Sequence, residues 1–373
     1  MDKIAEFRTI VEHPYSYLQK LKDETGKKIV GTVCSYAPEE LIFAAGALPV
    51  RLFGSDSGIH RADLHLQSYC CSLVRGILEE ALSGRLDLLD GMVFPHTCDS
   101  IQRLSDVWRL NLVKPFHADV VLPVKLTTPS ARQYLLDVLK KFKTDLERGL
   151  AQEITEAGLI HAVKIYNAIR AQMTNLYQLR CENPHMINGQ DFHTIIRAGM
   201  IMEREAFLES LEAIVSDVTK TASEKKSSPA KRLVLSGGIC SHPDIYEAIE
   251  EAGGVVVGDD LCTGSRYYEG ALDEKLPPLT AIAQRYAERA NCPAKHSGLT
   301  NRGENLVKMA KDCKADGVVF LLLKFCDPHA FDYPYLKEML DREKISSLLL
   351  EIEDQTQAGG QLVTRMETFI QIL

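Results

Sequence analysis

Apolar positions along the chain follow two rhythms, and their alternation predicts the architecture. Continuous Val/Ile/Leu-rich runs such as KIVGTV (28–33), LPVRLFG (48–54) and LDLLDGMVFP (86–95) read as buried strands. Between them the run from Pro38 to Gly46 and the stretch QSYCCSLVRGILEEALSG (67–84) carry apolar residues at helical spacing and close on glycine; DSIQRLSDVWRLN (99–111) is helical too. A polar amphipathic helix over residues 3–24 precedes the first strand. Strand and helix alternate through 28–125, which predicts a parallel sheet covered by helices.

From Ser130 to about Ala222 the pattern becomes long helical segments, including SARQYLLDVLKKFKTDLERGL (130–150) and LIHAVKIYNAIRAQMTNLYQLR (159–180). The polar stretch SEKKSSPAKR (223–232) reads as a linker. Alternation then resumes with RLVLSGG, VVVGDD, a helix from Pro278 to Arg289, VVFLLLKF, YPYLKEMLDREK, SSLLLEIED and a last helix from Gly360 to Leu373. The expected fold class is α/β: two Rossmann-like lobes with parallel sheets flanked by helices, plus a helical insert domain. Its expected parts are an N-terminal lobe over 1–129, a helical domain and linker over 130–229 and a C-terminal lobe over 230–373.

The formal net charge of −8 and the lack of any Lys/Arg cluster with interleaved aromatics argue against nucleic acid as a partner. The N-terminal stretch has no apolar core of a secretory signal, and the longest apolar run, GVVFLLLKF (317–325), is far too short to span a bilayer. A cytoplasmic protein is expected, free of membrane, whose thiols are reduced, ligating or catalytic rather than disulfide-bonded.

Five of the ten cysteines, Cys34, Cys98, Cys240, Cys262 and Cys326, stand just after strand-like runs. In an open α/β sheet the loops beyond the strand carboxyl ends line the ligand crevice, so these thiols are expected to converge. Each taken singly is also explained as a small buried hydrophobe. Cys98 and Cys326 precede Asp, and Cys240 and Cys262 lie in the glycine-containing segments SGGICS and CTGS; all four look like helix starts, where backbone N–H groups lower a thiol pKa. Thiolate selects zinc, copper(I) or iron–sulfur clusters, yet no C-x2-C pair occurs, so any site must be assembled by the fold. Cys181, Cys292 and Cys313 read as structural.

The segments GTVCSYAPEELIFAAGALPVRLFG, FPHTCDSIQRLSDVW, DDLCTGSRYYEGAL, LLLKFCDPHAFDYP and GGQLVTRMETFIQIL resemble the 2-hydroxyacyl-CoA dehydratase and benzoyl-CoA reductase superfamily over nearly the whole chain. The resemblance implies a fold of two α/β lobes and a helical part, and electrons delivered by a separate ATP-hydrolysing iron–sulfur activase, itself a homodimer. It implies one 4Fe-4S cluster on the positions of Cys71, Cys98 and Cys326. The additional Cys34, Cys240 and Cys262 resemble the double-cubane-cluster branch. There two cubanes share one sulfide, which takes two of eight iron corners and leaves six for thiolates. Cys34, Cys71, Cys98, Cys240, Cys262 and Cys326 would supply them, three from each lobe. In the CysCys pair, helical facing favours Cys71 over Cys70 as the ligand.

Reduction at such a cluster calls for proton donors and positive charge beside it, and His96, Arg103 and Arg266 are the candidates nearest the ligands in sequence. Each also has an ordinary reading: His96 as a strand-end packing residue, the arginines as partners of Asp99, Asp106 or Asp259. For Glu39 a first-turn helix role suffices. The leading expectation is a homodimeric, oxygen-sensitive reductase of a small molecule with a double-cubane 8Fe-9S cluster. The alternatives are a dehydratase subunit with a single 4Fe-4S cluster and a CoA thioester substrate, or a non-catalytic electron carrier or zinc- or cluster-stabilised interaction protein.

Overall fold

The computed structural model describes residues 2–54, 58–112, 116–221, 230–240, 244–289, 292–295, 298, 300–353 and 360–373. The N-terminal polar stretch forms two helices, α1 (Asp2–Glu12) and α2 (Pro14–Thr25), rather than the single one expected. Pro14 cannot donate an N–H inside a helix but fits a first turn, so α2 restarts there.

The first lobe follows as β1 (Ile29–Thr32), α3 (Glu39–Ala44), β2 (Leu48–Arg51), α4 (Ser72–Leu82), β3 (Gly91–Pro95), α5 (Asp99–Asn111) and β4 (Phe116–Val120). Long helices come next: α6 (Pro129–Leu150), α7 (Glu156–Glu182), α8 (Gly189–Ala198) and α9 (Arg204–Thr221). The second lobe begins with β5 (Lys231–Gly237), α10 (Asp244–Glu251), β6 (Gly254–Asp260), α11 (Ser265–Tyr268) and α12 (Pro278–Glu288). It ends with α13 (Asn301–Asp312), β7 (Gly317–Leu323), α14 (Asp327–Arg342), β8 (Ser346–Ile352) and α15 (Gly360–Ile372). The linker read at 223–232 falls mostly outside the described residues.

Both sheets are four-stranded and wholly parallel, with orders β2-β1-β3-β4 and β6-β5-β7-β8. The two-lobed α/β expectation therefore holds, and the lobes share one topology. In each, strand order reverses beside the first strand, and that switch point opens a crevice beyond the strand ends. The four central strands are β1 and β3 in one lobe, β5 and β7 in the other. Cys34 and Cys98 follow the first pair, Cys240 and Cys326 the second.

The helices of 129–221 are shared between the lobes: α6 packs on β4 and α12, and α7 packs on α3, α9 and β6. One apolar core runs from Phe7 in α1 through Phe207 in α9 to Phe369 in α15. Charge also crosses between the lobes at α3. Glu40 meets Arg170 and, at 3.5 Å, Arg285, while Glu39 accepts from Arg204 at 3.0 Å and from the Tyr267 hydroxyl. Both glutamates and the three arginines are buried, so Glu39 does far more than complement a helix end.

The expectation that the thiols are unbridged fails at one place. Cys181, at the end of α7, and Cys313, capping α13, are joined at 2.08 Å across a sequence separation of 132. Packing of α7 beside the second sheet brings their Cα atoms to 5.1 Å, within bridging range.

Candidate metal centre

Three of the thiols stand where a strand or loop turns into a helix. Cys71, Cys98 and Cys326 are the N-cap residues of α4, α5 and α14. Cys71 has extended backbone, so it precedes the helix in which facing had placed it. At both switch points the chain turns through the left-handed region, which L-residues seldom occupy. Cys34 itself has φ 70, and Phe325, just before Cys326, has φ 61. Cys262 follows β6, with its amide donating to the Gly238 carbonyl at 2.7 Å.

Electrostatic coupling marks which thiols lie near one another. Burial pushes the Cys98 thiol up to about 12, and the charges of Cys34, Cys326 and Cys292 add to it. Cys326 is likewise pushed up to about 12 by burial, then by Cys71, Cys262 and Cys292. Cys292 rises to about 12 through burial, Cys262 and Cys34. Burial and mutual repulsion thus outweigh the helix ends expected to lower these pKa values. Six thiols, Cys34, Cys71, Cys98, Cys262, Cys292 and Cys326, are linked in this way.

Cys240 closes the β5 segment. It is completely buried, its charge is felt by Tyr246, and its carbonyl takes hydrogen bonds from Thr263 Oγ1 at 3.2 Å and His193 Nε2 at 3.1 Å. β5 closes on Gly237, where an added Cβ would lie 2.0 Å from the Leu321 carbonyl oxygen, and the following Ile239 and Cys240 sink into the core. The helix start read at SGGICS reaches residues outside those described. Cys292, read from sequence as structural, sits instead in the thiol patch. The segment carrying it reaches the first lobe through α12, whose Tyr286 hydroxyl donates to the Ala37 carbonyl at 2.7 Å, and through Arg289, which donates to Ser35 O at 2.5 Å. Cys70 lies beside the patch, raised by burial and by Asp327.

The donor set, thiols brought together from several segments, is chemically of the kind that soft metals and iron–sulfur clusters take. Among the described residues no three His, Cys, Asp or Glu side chains gather closely enough to hold one metal ion. An iron–sulfur cluster would take one thiolate per iron. Cationic iron also relieves both costs these thiols carry, since coordination deprotonates a thiol outright.

The other candidates lie at different distances from this patch. Arg266 is buried, pairs with Asp260 at 3.1 Å rather than with Asp259, and feels Cys262 and Cys292. His96 bonds Asp119 at 2.9 Å at the strand ends. Despite burial, hydrogen bonds from His117, Ser105 and His96 hold the Asp119 carboxyl well below the usual carboxylate range. Arg103 is 60% exposed and pairs with Asp106 at 3.0 Å on the solvent side of α5.

Two residues unmarked by the sequence reading stand closer. His329 Nδ1 lies 3.2 Å from Cys326 Sγ and its Nε2 lies 3.3 Å from Arg266 Nη2. Burial and the charges of Arg266 and Arg302 keep this imidazole neutral. Its spacing of three from Cys326, one helical turn, was the available signal. Lys295 is buried, donates to the Leu122 carbonyl at 3.0 Å and the His96 carbonyl at 3.3 Å, and is lowered by burial against the opposing pull of Cys292, Cys34 and Cys98. A cavity of about 360 Å³ opens from Cys98 between the lobes, lined by Lys295, Arg302, Asp327, Phe331 and Tyr335. It is of the size that holds a small organic molecule.

Residues 34–373 match the family model of the 2-hydroxyglutaryl-CoA dehydratase D-component. The chain is 30% identical to the (R)-phenyllactyl-CoA dehydratase beta subunit of Clostridium sporogenes over 99% of its own length and 98% of the relative's. It is 28% identical to the (R)-2-hydroxyglutaryl-CoA dehydratase beta subunit of Acidaminococcus fermentans, over 99% and 98% of the two chains. With a benzoyl-CoA reductase subunit of Thauera aromatica it shares 26% over 86% and 84%. Two parallel-sheet lobes, thiols meeting at their switch points and these likenesses along the chain agree: it belongs to the 2-hydroxyglutaryl-CoA dehydratase D-component family.

Proposed function

We propose that this chain is a low-potential iron–sulfur reductase of a small molecule, fed electrons by a separate ATP-hydrolysing iron–sulfur activase and working as a homodimer. The observation that carries this reading is the coupling of six thiols from both lobes, Cys34, Cys71, Cys98, Cys262, Cys292 and Cys326. Six is the number a sulfide-bridged pair of cubanes, an 8Fe-9S cluster, requires. In this reading Cys34, Cys71, Cys98, Cys262 and Cys326 supply five of the thiolates, and Cys240 and Cys292 compete for the sixth. The cluster stores and passes electrons at low potential when bound.

The protein's own groups do the rest. Neutral His329 and buried Arg266 orient and balance charge at Cys326 and Cys262. Lys295 fixes the Cys292 segment against the ends of β3 and β4 and keeps a positive charge near three of the sulfurs. The cavity beside Cys98 admits the substrate, and Phe331 and Tyr335 give it apolar walls.

A second reading is favoured by the relatives, which are subunits of dehydratases and of a reductase. Here the chain is one subunit of a 2-hydroxyacyl-CoA dehydratase with a single 4Fe-4S cluster on Cys71, Cys98 and Cys326. Ligand substitution separates the two. With the double cluster, Cys262→Ser lowers the iron content of anaerobically purified protein and changes its visible absorption, and so does one of Cys240→Ser and Cys292→Ser, which identifies the sixth ligand. Iron unaffected by Cys34→Ser, Cys262→Ser and Cys292→Ser, yet lost on Cys98→Ser, is the single-cluster result.

A further inference from the structure

A second cavity, of about 250 Å³, lies on the first lobe away from the thiols, between the α1–α2 corner, the end of β2 and the far end of α4. Its lining holds Arg51, Arg85 and Arg197 with Glu12, Glu80 and Tyr15. Arg51 is the last residue of β2, an edge strand, and so sits at a strand carboxyl end, the side on which α/β sheets bind ligands. It is 2% exposed, and its Nε and Nη1 are buried without any hydrogen-bond partner among the described residues. A buried guanidinium left in that state is costly, and native proteins seldom keep one without use.

The cavity carries both signs, since Glu12 and buried Glu80 line it with the three arginines, and the backbone holds Arg51 in place. The Arg51 amide is tied to the Met200 carbonyl at 3.0 Å, and its strand neighbour in register is Thr32 of β1. Arg197 stacks on Phe53 with its guanidinium carbon 4.0 Å from the ring centroid. Arg85, in the turn after α4, stands exposed at the rim. Three planar forks from three separate elements suit an acceptor whose oxygens point in several directions. Phosphate meets that description, and a planar carboxylate can engage fewer of them.

We propose that the cavity around Arg51, Arg85 and Arg197 binds a phosphate or diphosphate group. Its volume takes the phosphates and leaves anything attached to them to extend past Arg85 into solvent. The site is separate from the thiol patch, since Glu80 lies nine residues along α4 from Cys71, about 13 Å at the helical rise.

Binding of inorganic pyrophosphate and of ADP to the full-length, anaerobically purified protein tests this, by equilibrium dialysis and by thermal shift against chloride at matched ionic strength. Saturable binding that Arg51→Met weakens about tenfold or more is expected. Tighter binding of ADP than of pyrophosphate assigns the phosphate to a nucleotide-like ligand, and equal binding assigns it to a free anion; both support the site. If Arg51→Met fails to fold, exposed Arg85→Gln decides, with several-fold weaker binding expected. No saturable binding by the wild type, or binding unchanged in these variants, overturns the proposal.

Discussion

Cys240 and Cys292 show what a residue's neighbours in sequence do and do not reveal. Cys240 follows a strand and a double glycine, the marks of a sheet-edge ligand, and lies fully buried with its carbonyl accepting from Thr263 and His193. Cys292 has no such mark, because its position depends on α12 docking against α6 and the Cys34 loop, a long-range event with no local pattern. Five of the six coupled thiols were legible as positions, and their convergence followed from topology. His96 illustrates the reverse case, a residue near the ligands whose bonds run to structure. Asp119 accepts from His96, Ser105 and His117, so its pKa lies lower in the folded than in the unfolded chain. Between those two values the unfolded state binds more protons, and stability rises with pH there. The contribution is therefore complete above about pH 4 and is lost as pH falls through the folded value. Asp119→Asn is expected to flatten the acid side of a stability–pH profile measured by urea denaturation. An unchanged acid limb would show that this carboxylate's bonds carry no net weight.

At the scale of elements, α3 is the piece whose role the sequence understated. Its PEE start was read as ordinary helix-end chemistry, and nothing local announces that the partners of Glu39 and Glu40 lie more than a hundred residues away in α7, α9, α11 and α12. These contacts fasten the loop bearing Cys34 to the second lobe. Removing one partner of a buried ion pair leaves the other uncompensated, which costs about 3–5 kcal/mol. Glu40→Ala is expected to lower unfolding free energy by that amount and to loosen the arginines that face it. A loss below about 1 kcal/mol would mean that water or neighbouring groups take over the guanidiniums. The elements that the pattern did predict were the long and strongly periodic ones. Its misses were at junctions: the break at Pro14, the cap at Cys71 and the shared packing of α6 and α7, each fixed by tertiary contact rather than by periodicity.

For the whole molecule, two lobes of one topology face each other with their switch points, and thiols from both meet where the crevices join. A cluster held there would tie the lobes together, so its binding energy would add to the stability of the fold. The cavity beside Cys98, the neutral His329 and the buried Lys295 and Arg266 would give such a centre an access route and fixed charge. The count of thiols is what distinguishes a bridged double cubane from a single cluster in this setting. Iron and acid-labile sulfide determined per chain on anaerobically purified protein test it most directly. The account predicts about eight irons. About four irons, or a preparation containing zinc alone, would contradict it.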